Sequence, residues 1–292
     1  ISYNIPYSKS HSIEKTIALK SGEAPTDFNP VASYVKYFTL PNGFIKDSLI
    51  LRFEGVESAA AVWLNGHYIG YCEDSFTPSE FNLTEYIAEG ENKLAIQVTK
   101  WCAGSWLEDQ DFFRFSGIFR DIYLYTKQKC HLEDIEIKQV FENNNFENVK
   151  LNFSISLSNN ADVKLRLFDA VDLTLKSNEF KVFDEMPVLY ETVNNLHSGE
   201  NKLSFDVAAP KLWSAEIPNL YTLYIEIFDG ETLVEVSAVK IGIRLFEKNS
   251  KNIMTLNGKR IVFAGVDRHD FSSKFGRAIT FDEIKKDIVT MK

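Results

Sequence analysis

The sequence predicts a mainly β chain: a jelly-roll β-sandwich, then an immunoglobulin-like β-sandwich, then the first β/α unit of an incomplete TIM barrel. Three observations carry that prediction. Short alternating runs recur between turn signals from Tyr34 to Tyr125, with hardly any helical periodicity among them. A second set of alternating runs spans Leu132 to Ile243. After Glu247 the pattern changes to a continuous apolar run, a polar loop and an amphipathic helix.

The first set divides by its turns. Tyr34 to Leu40 alternates and stops at Pro41, Asn42 and Gly43. Ser48 to Glu54 is a strand. Ala59 to Leu64 and His67 to Tyr71 are strands joined by Asn65-Gly66, which supplies the two positive-φ residues of a type I′ hairpin. Thr84 to Gly90 reads as one helical turn closed by glycine. Asn92 to Thr99 and Gly117 to Tyr125 alternate again. Trp63, on the first strand of the hairpin, is expected in the core. Short strands at this spacing make a jelly roll.

Polar residues Lys127 to Lys129 close that set, so the first domain is assigned to 1–128. Leu132 to Val140, Val149 to Leu157, Asp162 to Phe168, Glu200 to Val207, Tyr221 to Phe228 and Leu233 to Ile243 carry the second. About seven strands in this length fit an immunoglobulin-like sandwich without its disulfide, assigned to 129–247.

Residues 248–292 open the third domain. Asn257-Gly258 is a second hairpin signal, and Ile261 to Val266 reads as a strand buried on both faces. Thr280 with Glu283 is a capping box, and Phe281, Ile284, Ile288 and Met291 form the apolar face of the helix it starts. A (β/α)₈ barrel takes roughly 250 residues. These residues are too few for one, so the segment is expected to be flexible, to dock on the second sandwich or to self-associate.

Composition narrows the functional classes. Acidic residues outnumber Lys and Arg, 41 to 32, and no basic patch exists, so nucleic acid and anionic membranes are poor partners. No run of eighteen apolar residues is present, and the start lacks the basic-then-apolar pattern of a secretion signal. It also lacks an initiator methionine and reads as trimmed. Cys72, Cys102 and Cys130 have no ligand-like spacing and read as buried thiols of a reducing compartment, which points to the cytoplasm.

Chemistry concentrates between Trp101 and Asp121. Glu108, Asp109, Asp111, Arg114, Arg120 and Asp121 lie there among two Trp and four Phe. Asp109 and Asp111 suggest a glycosidase pair, but on one strand they would share a wall, whereas a glycosidase needs carboxylates flanking a bond. Two other readings stay open: a loop salt-bridged by Arg114 and Arg120, or a loop on a rigid sheet that contacts a ligand or a hard cation. Trp106 adjoins the acidic residues; core packing is its first reading, and stacking on a sugar face the alternative. His269 follows the apolar run, where a barrel strand would present its catalytic end. Arg268 and Asp270 alternate with it and are expected to face elsewhere.

The stretch Gly104 to Asp121, with Leu107, Glu108, Asp109, Gln110 and Asp111 at its centre, resembles the lac-type β-galactosidases of glycoside hydrolase family 2. So do Val62 to Gly66, Pro78 to Phe81, Lys211 to Tyr221, Leu256 to Lys259 and Gly265 to His269. The resemblance implies the same three folds in the same order. It implies that Asp111 touches the sugar 6-hydroxyl and a sodium ion, and that His269 contacts the galactosyl group. It places the acid/base and nucleophile glutamates and the magnesium ligands beyond Lys292, so no catalytic carboxylate is expected in this chain. Two positions depart from the pattern. Tyr7 to Ser12 stands where the family has a sugar-contacting Asn, and Asp267 replaces an Asn beside the Arg-His pair.

The expectation is therefore the N-terminal part of a retaining, cytoplasmic β-galactosidase. Its partners would be a galactoside such as lactose, the rest of its own barrel and copies of itself. A free-standing carbohydrate-binding module and a structural scaffold are the alternatives.

Overall fold

The computed structural model describes residues 22–26, 28–44, 47–108, 113–142, 145–170 and 182–292. The chain divides into two compact units, one of 1–127 with 266–292 and one of 128–265. Among the described residues no helix is long and apolar enough to cross a membrane.

The first unit is a jelly roll. Its strands are β1 (Val31–Thr39), β2 (Ser48–Phe53), β3 (Val56–Glu57), β4 (Ala59–Leu64), β5 (His67–Cys72), β6 (Ser79–Asn82), β7 (Glu91–Thr99), β8 (Gly117–Ile118) and β9 (Ile122–Lys127). One sheet runs β1-β7-β4-β5 and faces another of order β6-β2-β9, while β3 and β8 pair beside them. Every pairing is antiparallel. Alternate residues point inward: Leu49, Leu51 and Phe53 from β2, Ala60, Val62 and Leu64 from β4, and Leu94, Ile96 and Val98 from β7. A fully buried leucine such as Leu51 contributes about 2–3 kcal/mol.

The Asn65-Gly66 hairpin forms as the sequence predicts, with φ of 52° and 87°. The Asn65 amide then ties the turn down, donating to the Tyr86 carbonyl at 2.9 Å and accepting from the Lys93 N–H at 2.8 Å. A side chain at residue 66 meets no neighbour, so only backbone strain opposes it. The Gly66→Ala variant is therefore expected to lose about 1 kcal/mol, read as a shifted denaturant midpoint at constant slope. Trp63 does not enter the core. It is half-buried on the outer face of its sheet, edge-on to Tyr68 at 5.6 Å, because the inward positions of β4 belong to Val62 and Leu64.

The second unit contains β10 (Leu132–Val140), β11 (Asn148–Leu157), β12 (Ala161–Phe168), a short helix α1 (Val182–Glu185), β13 (Tyr190–Leu196), β14 (Gly199–Ala208), β15 (Tyr221–Asp229) and β16 (Thr232–Ile241). A three-stranded sheet β10-β11-β14 packs on a four-stranded sheet β13-β12-β15-β16. Val149, Leu151, Phe153, Ile155 and Leu157 interleave with Val163, Leu165, Leu167, Leu223, Ile225 and Ile227. This is the immunoglobulin-like sandwich.

β15 is the exception to one-sided burial. Thr222, Tyr224 and Glu226, on its outer face, are buried as well. Phe183 of α1 stacks on Tyr224 at 4.2 Å. A small sheet of β17 (Phe246–Lys248), β18 (Met254–Leu256) and β19 (Lys259–Arg260) ends this unit. Asn257 and Gly258 turn β18 into β19 with φ of 51° and 75°.

The expected strand Ile261 to Val266 does not form. Regular pairing stops at Arg260, and Val262, Phe263 and Val266 are exposed. A strand buried on both faces needs partners on both edges, and no described segment offers them. The helix α2 (Phe281–Met291) does form, with its capping box: Thr280 Oγ1 accepts from the Glu283 N–H at 3.3 Å, and Glu283 Oε2 accepts from the Thr280 N–H at 3.0 Å. None of its residues is buried. The segment 248–292 divides: residues 248–265 belong with the second unit and residues 266–292 with the first.

Candidate functional site

The polar stretch after β7 is anchored from both sides. Trp101 is buried, and its backbone forms a reciprocal pair with the Asn29 amide, each bond 2.9 Å. A 3₁₀ turn follows at Ala103–Trp106. Within it the Ser105 hydroxyl accepts from the Cys102 N–H at 3.1 Å, and the Ser105 carbonyl accepts from the Arg114 guanidinium at 2.7 Å. Trp106 donates its indole N–H to the Glu23 carbonyl at 2.9 Å.

Glu108 turns into the sandwich. Its carboxylate accepts from the Ser75 N–H at 2.9 Å and from the Ser75 hydroxyl at 2.6 Å. Ser75 is fully buried. The first acid of the cluster is thus a clamp between two loops. Asp109 and Asp111 lie outside the described residues. Arg114 is buried and Arg120 donates to the carbonyls of Glu54 and Phe76, at 3.1 and 2.9 Å.

Below this stretch is a buried charge cluster. Glu57, on β3, is 2 % exposed and 3.5 Å from the Arg277 guanidinium. Arg114 and Lys100 also act on it, and the Lys100 ammonium donates to the Arg114 carbonyl at 3.3 Å. Burial raises the Glu57 carboxyl above the usual glutamate range, although Arg277 and Arg114 oppose it. Burial lowers Lys100 and Arg277, opposed in each by Glu57. All three groups titrate against the cost of leaving water. Burial likewise pushes the Cys102 and Cys130 thiols up; all three cysteines are free.

His269 is exposed on the rim of a cavity of about 330 Å³, near the lower end for small-molecule sites. Phe76, Phe119, Arg120, Arg268, Asp270 and Arg277 line it too. Arg268 and Asp270 therefore share the face of His269 rather than opposing it, because residues 261–271 are not a strand and do not alternate. The Arg268 guanidinium bridges Asp270 and Asp287 of α2, the latter at 2.8 Å. The segment Phe271 to Arg277 packs onto the polar stretch. Phe271 lies 5.8 Å from Phe113 and 6.0 Å from Phe115 between ring centroids. Gly276 abuts Phe115 so closely that a β-carbon would stand 2.9 Å from the ring.

The described part of the polar stretch and His269 thus fall in one compact unit. Sequence reasoning missed Glu57, Arg277 and the inward role of Glu108. Charges separated by most of the chain have no local signal.

Residues 3–128 match the sugar binding domain of glycosyl hydrolases family 2, residues 130–244 match the family's following domain, and residues 248–292 match its TIM barrel domain. The chain belongs to glycosyl hydrolases family 2. Within the family it is 45% identical over 278 residues to a beta-galactosidase of Halalkalibacterium halodurans, covering 94% of this chain and 26% of the relative. It is 44% identical to a beta-galactosidase of Clostridium acetobutylicum, covering 91% and 28%. A beta-galactosidase large subunit of Lactobacillus acidophilus is 38% identical, covering 97% and 43%. The chain thus spans between a quarter and less than half of the length of these relatives. Among solved structures, a putative beta-galactosidase of Bacteroides fragilis superposes with a TM-score of 0.76 at 17% identity, over 90% of this chain and 40% of that one. A beta-glucuronidase of Bifidobacterium dentium gives 0.74 at 21%, over 89% and 47%. At such identities these two carry the fold alone.

Proposed function

We propose that this chain is the N-terminal part of a retaining β-galactosidase that hydrolyses terminal β-D-galactosides such as lactose. The supporting observation is that His269 and the polar stretch fall in one compact unit around an open cavity, in a chain whose relatives of 38 to 45% identity are named beta-galactosidases. In a retaining mechanism one carboxylate attacks the anomeric carbon while a carboxylic acid protonates the departing oxygen, and water then releases the sugar. In this reading both carboxylates, and the magnesium ligands, come from the barrel beyond Lys292. This chain's share is binding. His269 offers a hydrogen bond to the galactosyl group, and Asp111 accepts one from the 6-hydroxyl.

Sodium is assigned to Asp111 on the family resemblance, since a hard cation takes oxygen ligands. Among the described residues no group of three or more His, Cys, Asp or Glu is gathered for a metal. The free thiols suit a cytoplasmic protein. The exposed Val262, Phe263, Phe281 and Val289 suit a covering by the remaining barrel.

A chromogenic β-galactoside tests the reading. The complete protein is expected to turn it over, and residues 1–292 alone are not. His269→Ala and Asp111→Ala in the complete protein each lower kcat/KM by about 10²-fold, and the Asp111 variant loses its response to sodium. Turnover by the isolated chain, or none by the complete protein, overturns it.

A further inference from the structure

We propose that Arg277 is a positioning residue: anchored on buried Glu57, it holds the segment 268–277 against the first sandwich and thereby sets the place of His269. Four observations meet at Arg277. Its guanidinium stands 3.5 Å from the Glu57 carboxylate, with the two side chains 15% and 3% exposed. The same group lies 5.1 Å above the ring of Phe76, which lines the His269 cavity. It lies 6.0 Å from the ring of Phe115, which also stacks on Phe271. The backbone leading to it is a closed loop, since Ser272 and Gly276 exchange two N–H to carbonyl bonds of 2.8 Å.

The loop is closed at its far end as well. The Ser272 hydroxyl donates to Glu283 at 2.7 Å, and Glu283 caps α2 through Thr280. Phe271 against Phe113 and Phe115, and Arg268 on Asp287, hold the segment too. α2 buries no residue, and Val266, Asp267 and His269 are exposed. A segment with few buried apolar contacts opens locally at low cost. The ion pair with Glu57 and the aromatic slot of Phe76 and Phe115 are therefore among its anchors. A buried carboxylate with its cation removed is strongly unfavourable, so Glu57 resists release of Arg277. The planar guanidinium suits the slot, because it can stack on rings and pair with a carboxylate at once. Lysine at the same place would keep the charge and lose the stacking.

The kinetic consequence rests on the proposed galactosidase reading, and the tether itself does not. Both are tested on the complete protein. In Arg277→Ala, amide exchange over Phe271 to Arg277 is expected to quicken about tenfold or more, while β2, β4 and β7 keep their protection. In the same variant kcat/KM for a chromogenic β-galactoside falls at least tenfold. In a His269→Ala background the further change is below about twofold. That non-additivity separates positioning through His269 from a merely structural loss. Arg277→Lys recovers only part of the activity, and Glu57→Gln loosens the segment without removing Arg277, which keeps the test open if one variant folds poorly. Unchanged exchange in Arg277→Ala overturns the tether. Additive kinetics overturn the action through His269 and assign Arg277 a separate contact with substrate. A wild type inactive on β-galactosides overturns the functional reading alone, and the exchange result then decides the tether.

Discussion

A chain carrying Glu226→Ala is expected to lose about 3–5 kcal/mol of stability in the second sandwich. The partner left behind is Arg166 on β12, whose side chain is 5% exposed. Its guanidinium now pairs with Glu226 and with Asp184 of α1, each at 3.0 Å, and donates to the Phe183 carbonyl at 3.2 Å. Phe168 and Tyr224 flank it at 5.6 and 5.0 Å. Burial, with Glu226 close by, pushes the Tyr224 hydroxyl above its ordinary range, a second sign of how dry the site is. Without Glu226 the cation stays buried with only the exposed Asp184 to balance it. The double replacement Arg166→Met with Glu226→Leu removes both charges and is expected to be neutral or stabilising, since the pair costs nearly as much to desolvate as it returns. Denaturant melts of wild type, both single variants and the double variant close this cycle. A loss below about 1 kcal/mol in Glu226→Ala would mean that water reaches Arg166 and that α1 does not seal the sheet.

That site also marks how far the sequence could be read. Hairpins and caps are local: Asn65-Gly66, Asn257-Gly258 and the Thr280–Glu283 box are complete within a few residues, and each forms as predicted. The alternation of β7 and β11 likewise names their core faces, because one face of each is buried. The same rule fails on β15. Thr222, Tyr224 and Glu226 have the polarity of a solvent face yet are buried, Tyr224 beneath Phe183 from an earlier segment of the chain. Ile261 to Val266 fails for the opposite reason, since its apolar run specifies a strand but partners must come from elsewhere. His269 could be placed by its position after that run. Arg277 could not, because nothing near residue 277 reports that a carboxylate at residue 57 lies beneath it.

Glu108→Ala is expected to cost about 3 kcal/mol in the first sandwich and, on the proposed β-galactosidase reading, to lower kcat/KM of the complete protein at least tenfold. In the sequence Glu108 is indistinguishable from its acidic neighbours. In the structure it accepts two bonds from Ser75, one from the N–H and one from the hydroxyl. Ser75 has no exposed surface, so losing the carboxylate strands two buried donors. Asp74 already braces the Ser75 loop by accepting from the Thr77 hydroxyl and from the Phe76 and Thr77 N–H groups, the latter two at 3.0 Å each; the hydroxyl bond above all, then the N–H bonds, holds its carboxyl below the usual range. The Ser75 loop is therefore rigid with or without Glu108. What the substitution frees is the other side, the chain running into Asp109 and Asp111. Glu108→Gln keeps one acceptor oxygen and is expected to fall between wild type and alanine in both measurements. On the proposed reading, in which this loop binds sugar without touching the reacting bond, the activity loss tracks KM for the galactoside more than kcat. The same stability loss with unchanged kinetics would show that Glu108 holds the sandwich together and has no bearing on the proposed sugar contact.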